Sequence, residues 1–529
     1  MSINPGLERI TSLLSFFPAL AIPVVHIAGT NGKGSVSAIL DSTLTVSGLA
    51  TGRFNSPHLV SIEDSIRLRG RPVSRARYDK VRADVERVDK EHNTGASLFE
   101  LLTVTALRIF ETETDESAGG KGKLDVIIVE CGMGGELDAT NVFPSELVLA
   151  CVLTSVDIDH QAFLGNTPAE IAKGKARIVK QGGLLVGGKQ MHPEVLEVVS
   201  QVAGERGADL FWTEESFIGA AEEEVGSTST KHPFSMHPFQ PPPPQPTLTP
   251  LPNYPIKSRP SPAATQTSYN LLKSHINAHM SSLTPLLSSA TTPPTSVLPL
   301  LISLSALSAH TTSFVSAPHP VILTELPLPG AHQRDNLAVA LTVLHLLRTH
   351  PVPLGVLPRL AEVLKDDSVL QRGVRSVEWE GRCSWVAVGE GKHVLVDGAH
   401  NASSAGLLSE YIDSLPLPAG TPRTFILSLS HSPPKTPLDT LAPLLRKGDR
   451  VACVEFGTPI EGMPWVKPVP RGNLSEVARE LVGSESEVWA GETGLEGALE
   501  WAGKEEGLTV VCGSLYLVAD LFRLTKKRD

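Results

Sequence analysis

Apolar residues along this chain fall into two textures that alternate. One is the short unbroken run: Val24, Val25 and Ile27; Val126 to Val129; LVLACVLTSV at 147–156; and, in the rear third, the apolar parts of KHVLVDGAHN, RTFILSLS, RVACVEF and LTVVCGSLYLV. Runs without polar alternation suit strands covered on both faces, as in a parallel sheet. The other texture is helical spacing: Val36, Ile39, Leu40 and Leu44; SLFELLTVTALRIF at 97–110; and Leu407, Leu408, Tyr411 and Ile412. Near the front, Leu7, Ile10, Leu13 and Leu14 mark one face of a short helix. TPAEIAKGKARIVK carries its own start signal, with Thr167 as N-cap, Pro168 at the first position and Glu170 closing a capping box. Strands alternating with helices predict an α/β protein with mostly parallel sheets.

The alternation breaks twice. From about 216 to 318 the chain turns to proline, serine and threonine around QPPPPQP. Such a stretch buries too little apolar surface to offset its ordering cost, so a disordered insertion is expected there. A second break near 366–374 precedes another α/β unit, giving expected domains of 1–374 and 375–529. A chain of 529 residues is too long for a single core. The formal charge of −11, with no basic run to reverse it locally, argues against a nucleic-acid partner. Five scattered cysteines without a CxxC pair point to reduced thiols rather than disulfides or structural zinc. The apolar stretch at 298–307 is too short for a bilayer, and the N-terminus lacks a basic start and cleavage site, so a soluble intracellular protein with no membrane partner is expected.

Candidate chemistry gathers at the ends of the apolar runs. After Ile27 the string Gly29-Thr30-Asn31-Gly32-Lys33-Gly34-Ser35 leads into a helix, which is how backbone N–H groups, a lysine charge and a hydroxyl are brought to bear on phosphate. It departs from GxxxxGK[ST], since Ile27 takes the first glycine position and Gly34 separates Lys33 from Ser35. It is either a chance glycine turn or a family variant. Glu130 ends the second buried run beside another glycine cluster, and Asp157, Asp159 and His160 follow the third. Carboxyl ends of parallel strands are where open α/β sheets bind ligands, so Glu130 and His160 are expected to converge on the turn. Asp397 and His400 fall just past a strand of the second unit. Ser56 reads as a loop residue, Glu100 and Thr103 as polar helix positions, and Lys175, taken alone, as a solvated helix lysine.

The strings GTNGKGS, SPHLV at 56–60, Phe99-Glu100, ECGMGGELDATN at 130–141, DHQAFLGNT, KGKARIVK, LPGAHQRDN, EGR at 380–382 and DGAHN at 397–401 occur in one order. Together they resemble the folylpolyglutamate synthase and dihydrofolate synthase group of the Mur ligase superfamily, over nearly the whole chain outside the insertion. Asn31 in the turn, the DSI string at 64–66, GMPW at 462–465 and VVCGSLYL at 510–517 resemble the fungal dihydrofolate synthases within it. Two departures are Gly174 to Ile178 where the family reads EKAGI, and Cys383 after Arg382 where it reads GRL.

The resemblance implies a P-loop-type ATPase domain with a mostly parallel sheet and a smaller Rossmann-like C-terminal α/β domain. The implied reaction ligates L-glutamate to 7,8-dihydropteroate through an acyl phosphate formed with ATP; the alternatives are glutamate addition to tetrahydrofolate and, more remotely, a non-catalytic folate- or nucleotide-binding regulator. Implied ATP contacts are Gly29, Thr30, Asn31, Gly32, Lys33, Gly34, Ser35, Asn336, Arg382 and Asp397, with His332 and Gln333 completing the nucleotide and interdomain surface. Two Mg²⁺ ions are implied, with Ser35, Ser56, Glu130, His160 and Lys175 as ligands, the lysine as its carbamate (N6-carboxylysine). The implied catalytic set is Lys33, Glu130, His160, Lys175, Asp397 and His400. A monomer in the cytoplasm, with a mitochondrial fraction, completes the expectation.

Overall fold

The computed structural model describes residues 6–113, 123–213, 245–249, 322–389, 392–418, 420–432 and 435–526. The expected insertion at 216–318 lies outside these apart from 245–249. The first sheet contains β1 (Val24–Ala28), β2 (Thr51–Phe54), β3 (Ile66–Leu68), β4 (Arg71–Pro72), β5 (Val126–Glu130), β6 (Val148–Leu153), β7 (Leu184–Gly187) and β8 (Asp209–Trp212). Their order is β4-β3-β2-β5-β1-β6-β7-β8. From β2 to β8 all neighbours are parallel, and β3 and β4 add an antiparallel edge. Every residue of β1, β5, β6 and β7 is buried, as the unbroken apolar runs require. One core, with Val25, Ile27, Ile39 and Leu341, covers one face; a second, with Phe54, Phe110, Val129 and Ile171, covers the other. A separate antiparallel pair joins β9 (Gln245–Thr249) to β10 (Ile322–Leu326).

The second sheet contains β11 (Ser384–Gly389), β12 (Lys392–Val396), β13 (Arg423–Leu427), β14 (Arg450–Cys453), β15 (Val488–Trp489) and β16 (Leu508–Cys512), in the order β11-β12-β16-β13-β14-β15. Only β11 runs antiparallel to its neighbour. It too is covered on both faces, around Phe425 on one side and Ile426 on the other. All five cysteines are buried and unpaired. No helix among the described residues is long and apolar enough to cross a membrane.

The helix Asp367–Arg375, the last of the first unit, lies on the helix Lys33–Val46 behind the glycine turn and shares its core. The approach is close: a Cβ on Gly373 would overlap backbone and side chain of Thr43, and Ser42 Oγ donates to the Gly373 carbonyl at 2.7 Å. Gly373→Ala should therefore cost about 1–3 kcal/mol, because backbone cannot yield as a flexible side chain does. Gly355→Ala, at a helical site with open space, serves as the control. Thermal unfolding followed by circular dichroism should show the first variant melting earlier than wild type and control; equal midpoints would contradict this packing.

Candidate active site

The glycine turn sits between β1 and the helix Lys33–Val46. Gly29 and Gly32 have φ of +148° and +90°, and a side chain on either would overlap Thr154 or Asn336. Glycine is the residue that permits both the conformation and the approach. Lys33 Nζ donates to the carbonyls of Gly29 and Thr30, both at 3.2 Å, and lies 3.7 Å from Glu130 Oε1. Glu130, at the end of β5, accepts from Asn55 Nδ2 at 2.6 Å. Burial raises the Glu130 pKa, and the Lys33 charge is the leading opposing influence.

Lys175 is not a solvated helix lysine: it is 3 % exposed, and its Nζ donates to the Gly29 carbonyl at 2.9 Å. Burial, reinforced by repulsion from Lys33, brings its pKa down to about 7. Arg177, the departure beside it, points away to Glu136 at 2.9 Å, tying this helix to the loop after Glu130. The helix has the capping box read from Thr167 and Glu170.

Beyond β6, Asp159 proves as important to the geometry as His160. Its carboxylate stands 3.3 Å from Lys435 Nζ, 3.4 Å from Asn401 Nδ2 and 3.9 Å from the Nε2 atoms of both His400 and His160. Burial works to raise its pKa, but His160, Lys435 and His400 together outweigh that and hold it below the usual carboxylate range. Three of these partners belong to the second unit, so Asp159 joins the two. His160 is half-exposed; loss of water lowers its pKa, Asp159 opposes this, and Lys175, Lys33 and Lys435 add to the lowering.

From the second unit, Asp397 spends both oxygens on backbone, accepting from Cys383 N and Ala399 N at 2.7 Å each. It thereby fixes the loops that carry Arg382 and His400. His400 Nδ1 lies 2.9 Å from the Gly398 carbonyl, so a neutral ring donates there and keeps Nε2 as an acceptor. Burial, then Lys435, lowers its pKa to about 4. Asn336 donates to Gln333 at 2.9 Å on the first turns of the helix His332–Thr349.

These groups line one cleft of about 350 Å³ between the units: Thr30 to Ser35, Ser56, Glu130, His160, His332, Gln333 and Asn336 on one side, Arg382, Asp397 and His400 on the other. Lys175 is absent from its walls and lies beneath the turn. Asn55 and Asp159 line it and Lys435 stands behind Asp159; Asn55 is the residue just before the SPHLV string, whereas Lys435 has no recognisable string around it. Two positions in the family strings have structural roles, Glu100 away from the cleft and Asp64 on its wall. Glu100 accepts from Ser97 N at 2.6 Å and pairs with Arg9 at 3.0 Å, while Asp64 caps Val60 N and Ser61 N at 2.9 Å.

The donor set suits a hard divalent cation bound together with phosphate. Glu130 provides a carboxylate and Ser35 and Ser56 hydroxyls, whereas no cluster of three or more His, Cys, Asp or Glu among the described residues forms a dedicated cage. Mg²⁺ is commonly held in this way, by one or two protein oxygens with phosphate and water completing its shell.

A family model described as "Dihydrofolate synthetase, C-terminal domain" matches residues 386–524. The chain is 28% identical over 540 residues to the dihydrofolate synthetase of Saccharomyces cerevisiae, covering 99% of this chain and 98% of that one. It is 28% identical over 531 residues to a probable dihydrofolate synthetase of Schizosaccharomyces pombe, covering 99% of each. Among solved structures, the fold matches a bifunctional folylpolyglutamate synthase/dihydrofolate synthase from Yersinia pestis, complexed with AMPPNP and Mn ion, with a TM-score of 0.64 at 21% identity, covering 99% of this chain and 94% of that one.

The buried amine of Lys175 has a consequence for stability. Its pKa is about 7 in the folded chain against an ordinary 10.5, so between those values the native state is neutral there while the unfolded state is protonated. Stability gained from this group therefore rises with pH across that window, and the full cost of burying the charge applies below about 7. Lys175→Met should be more stable than wild type in bicarbonate-free buffer, by an amount greatest near pH ~6 and shrinking towards pH ~10. Urea denaturation at several pH values tests this, and a gap that fails to narrow would contradict it.

Proposed function

We propose that this chain, which belongs to the folylpolyglutamate synthase and dihydrofolate synthase family, ligates L-glutamate to 7,8-dihydropteroate at the expense of ATP, giving 7,8-dihydrofolate, ADP and phosphate. The observation that carries the reading is the shared cleft, in which the glycine turn and Glu130 of one unit face Arg382 and His400 of the other. A carboxylate is a poor acyl donor until phosphorylated. The protein's contribution is to hold ATP, acceptor and amine together and neutralise charge as the acyl phosphate forms and is displaced.

Lys33 and the N–H groups of the turn would bind the β- and γ-phosphates, aided by the helix N-terminus. Glu130, Ser35 and Ser56 would hold Mg²⁺, with His160 serving one metal or bridging to a second; bound there, the ion neutralises phosphate charge. Asn336 and Arg382 would meet the nucleotide, with Asp397 fixing the loop behind Arg382. His400, neutral with an open Nε2, is suited to accept a hydrogen bond from the incoming amine. A Lys175 pKa of about 7 leaves a substantial fraction as free amine, the form that attacks CO₂ to give a carbamate, so the reading extends to N6-carboxylysine as a further anionic ligand. The second ion, a monomeric state and a cytoplasmic location with a mitochondrial fraction belong to the same reading.

Purified protein with ATP, Mg²⁺, L-glutamate and dihydropteroate should release ADP and form a product carrying one added glutamate. Tetrahydrofolate as acceptor tests the related polyglutamate activity, which should be the weaker. Lys33→Ala and Glu130→Ala should each lower kcat by about 10²-fold or more without unfolding the chain. His160→Ala should raise the Mg²⁺ concentration needed for half-maximal rate. Near-normal turnover in either of the first two, or no amide product from wild type, would overturn the assignment.

A further inference from the structure

The glycine that sets this turn apart from the common phosphate-binding pattern, Gly34, has no conformational reason to be glycine. It lies inside the helix Lys33–Val46 and shows no positive φ, and alanine is a better helix former. Space supplies the reason. The three atoms nearest to a Cβ built on Gly34 all belong to the Trp379 ring, and the closest would overlap it. Trp379 stands on the segment between the helix Asp367–Arg375 and β11, three residues before Arg382.

The same ring is held by Arg53, whose guanidinium carbon is 5.0 Å from its centroid. Arg53 is 3 % exposed, its Nε has no hydrogen-bond partner, and Asp41 stands 3.6 Å away. A cation removed from water in this way interacts more strongly with an aromatic face than an exposed one does. The phosphate turn, a buried cation and the linker to the second unit are therefore stacked at one point.

We propose that Trp379 is a positioning residue that seats the interdomain linker on the phosphate-binding turn, so that Arg382 faces the same phosphates as Lys33. Glycine at position 34 is the recess that admits the ring. The proposal rests on the ligase reading for what this alignment does in turnover. The seating itself is independent of that reading.

The test uses the full chain and Mg²⁺·ADP, which binds whether or not an acceptor is present. Trp379→Ala should lower kcat about tenfold or more and weaken ADP binding about threefold or more, because Arg382 loses its place on the phosphates, and Trp379→Phe should restore most of both losses. Wild type should show a change of tryptophan fluorescence on adding ADP that Trp379→Phe lacks although it still binds. Gly34→Ala should impair wild type, yet add nothing to Trp379→Ala. Unchanged kcat in Trp379→Ala, equal impairment in the Phe variant, an undiminished fluorescence change in Trp379→Phe, or a Gly34→Ala loss that persists without the ring would overturn the proposal. Wild type that binds ADP but makes no dihydrofolate would instead count against the function.

Discussion

Two lysine amines meet at one carbonyl oxygen: that of Gly29 accepts from Lys175 at 2.9 Å and from Lys33 at 3.2 Å. Two full charges so close in a site largely stripped of water repel strongly. The chain meets the problem by different routes for the two. Lys175 is buried until its amine titrates near 7, and Lys33 is set beside Glu130. What results is a concentration of donors at the end of β1 that a polyphosphate relieves. The neighbouring strands serve that point, β5 by supplying Glu130 and β6 by leading into Asp159 and His160.

Much of the fold was legible because its causes are local. Unbroken apolar runs became β1, β5, β6, β12, β13, β14 and β16, since a strand covered on both faces has no use for alternation. The capping box at Thr167 and Glu170 formed as read, because its two hydrogen bonds lie within one turn of chain. The glycine turn was legible for the same reason. The antiparallel edge of β3 and β4 was not, since its three- and two-residue strands carry almost no periodic signal.

What the sequence concealed depends on approach from elsewhere in the chain. Lys175 has the local pattern of a surface lysine and is buried only because the glycine turn lies over it. Asp159 draws its character from Asn401, His400 and Lys435, more than two hundred residues away. The strings resembling the fungal enzymes have a spatial explanation that no reading along the chain supplies. The Ile62 side chain of the turn capped by Asp64 reaches Gly462, Tyr516 hydroxyl contacts Met463 Sδ at 3.5 Å, and Arg523 donates to the Val60 carbonyl at 2.5 Å. The DSI, GMPW and VVCGSLYL strings thus come together in space at the rim of the cleft, whose lining includes Asp64, Ser65 and Leu515.

An acidic chain that binds an anionic nucleotide needs its cleft carboxylates neutralised before ligand arrives, and Glu130, Asp159 and Asp397, three of those lining the cleft, are each handled differently. Glu130 faces Lys33 and accepts from Asn55; Asp159 faces Lys435 and two imidazoles; Asp397 accepts from two backbone N–H groups. None of these three presents an uncompensated negative charge to a phosphate. The helix N-terminus at Lys33 and the guanidinium of Arg382 add positive groups to the cleft wall, despite a formal charge of −11 overall. Because the neutralising partners of Asp159 come from the second unit, that electrostatic balance is complete only when the two units are docked. Docking thus prepares the cleft for phosphate as well as closing it.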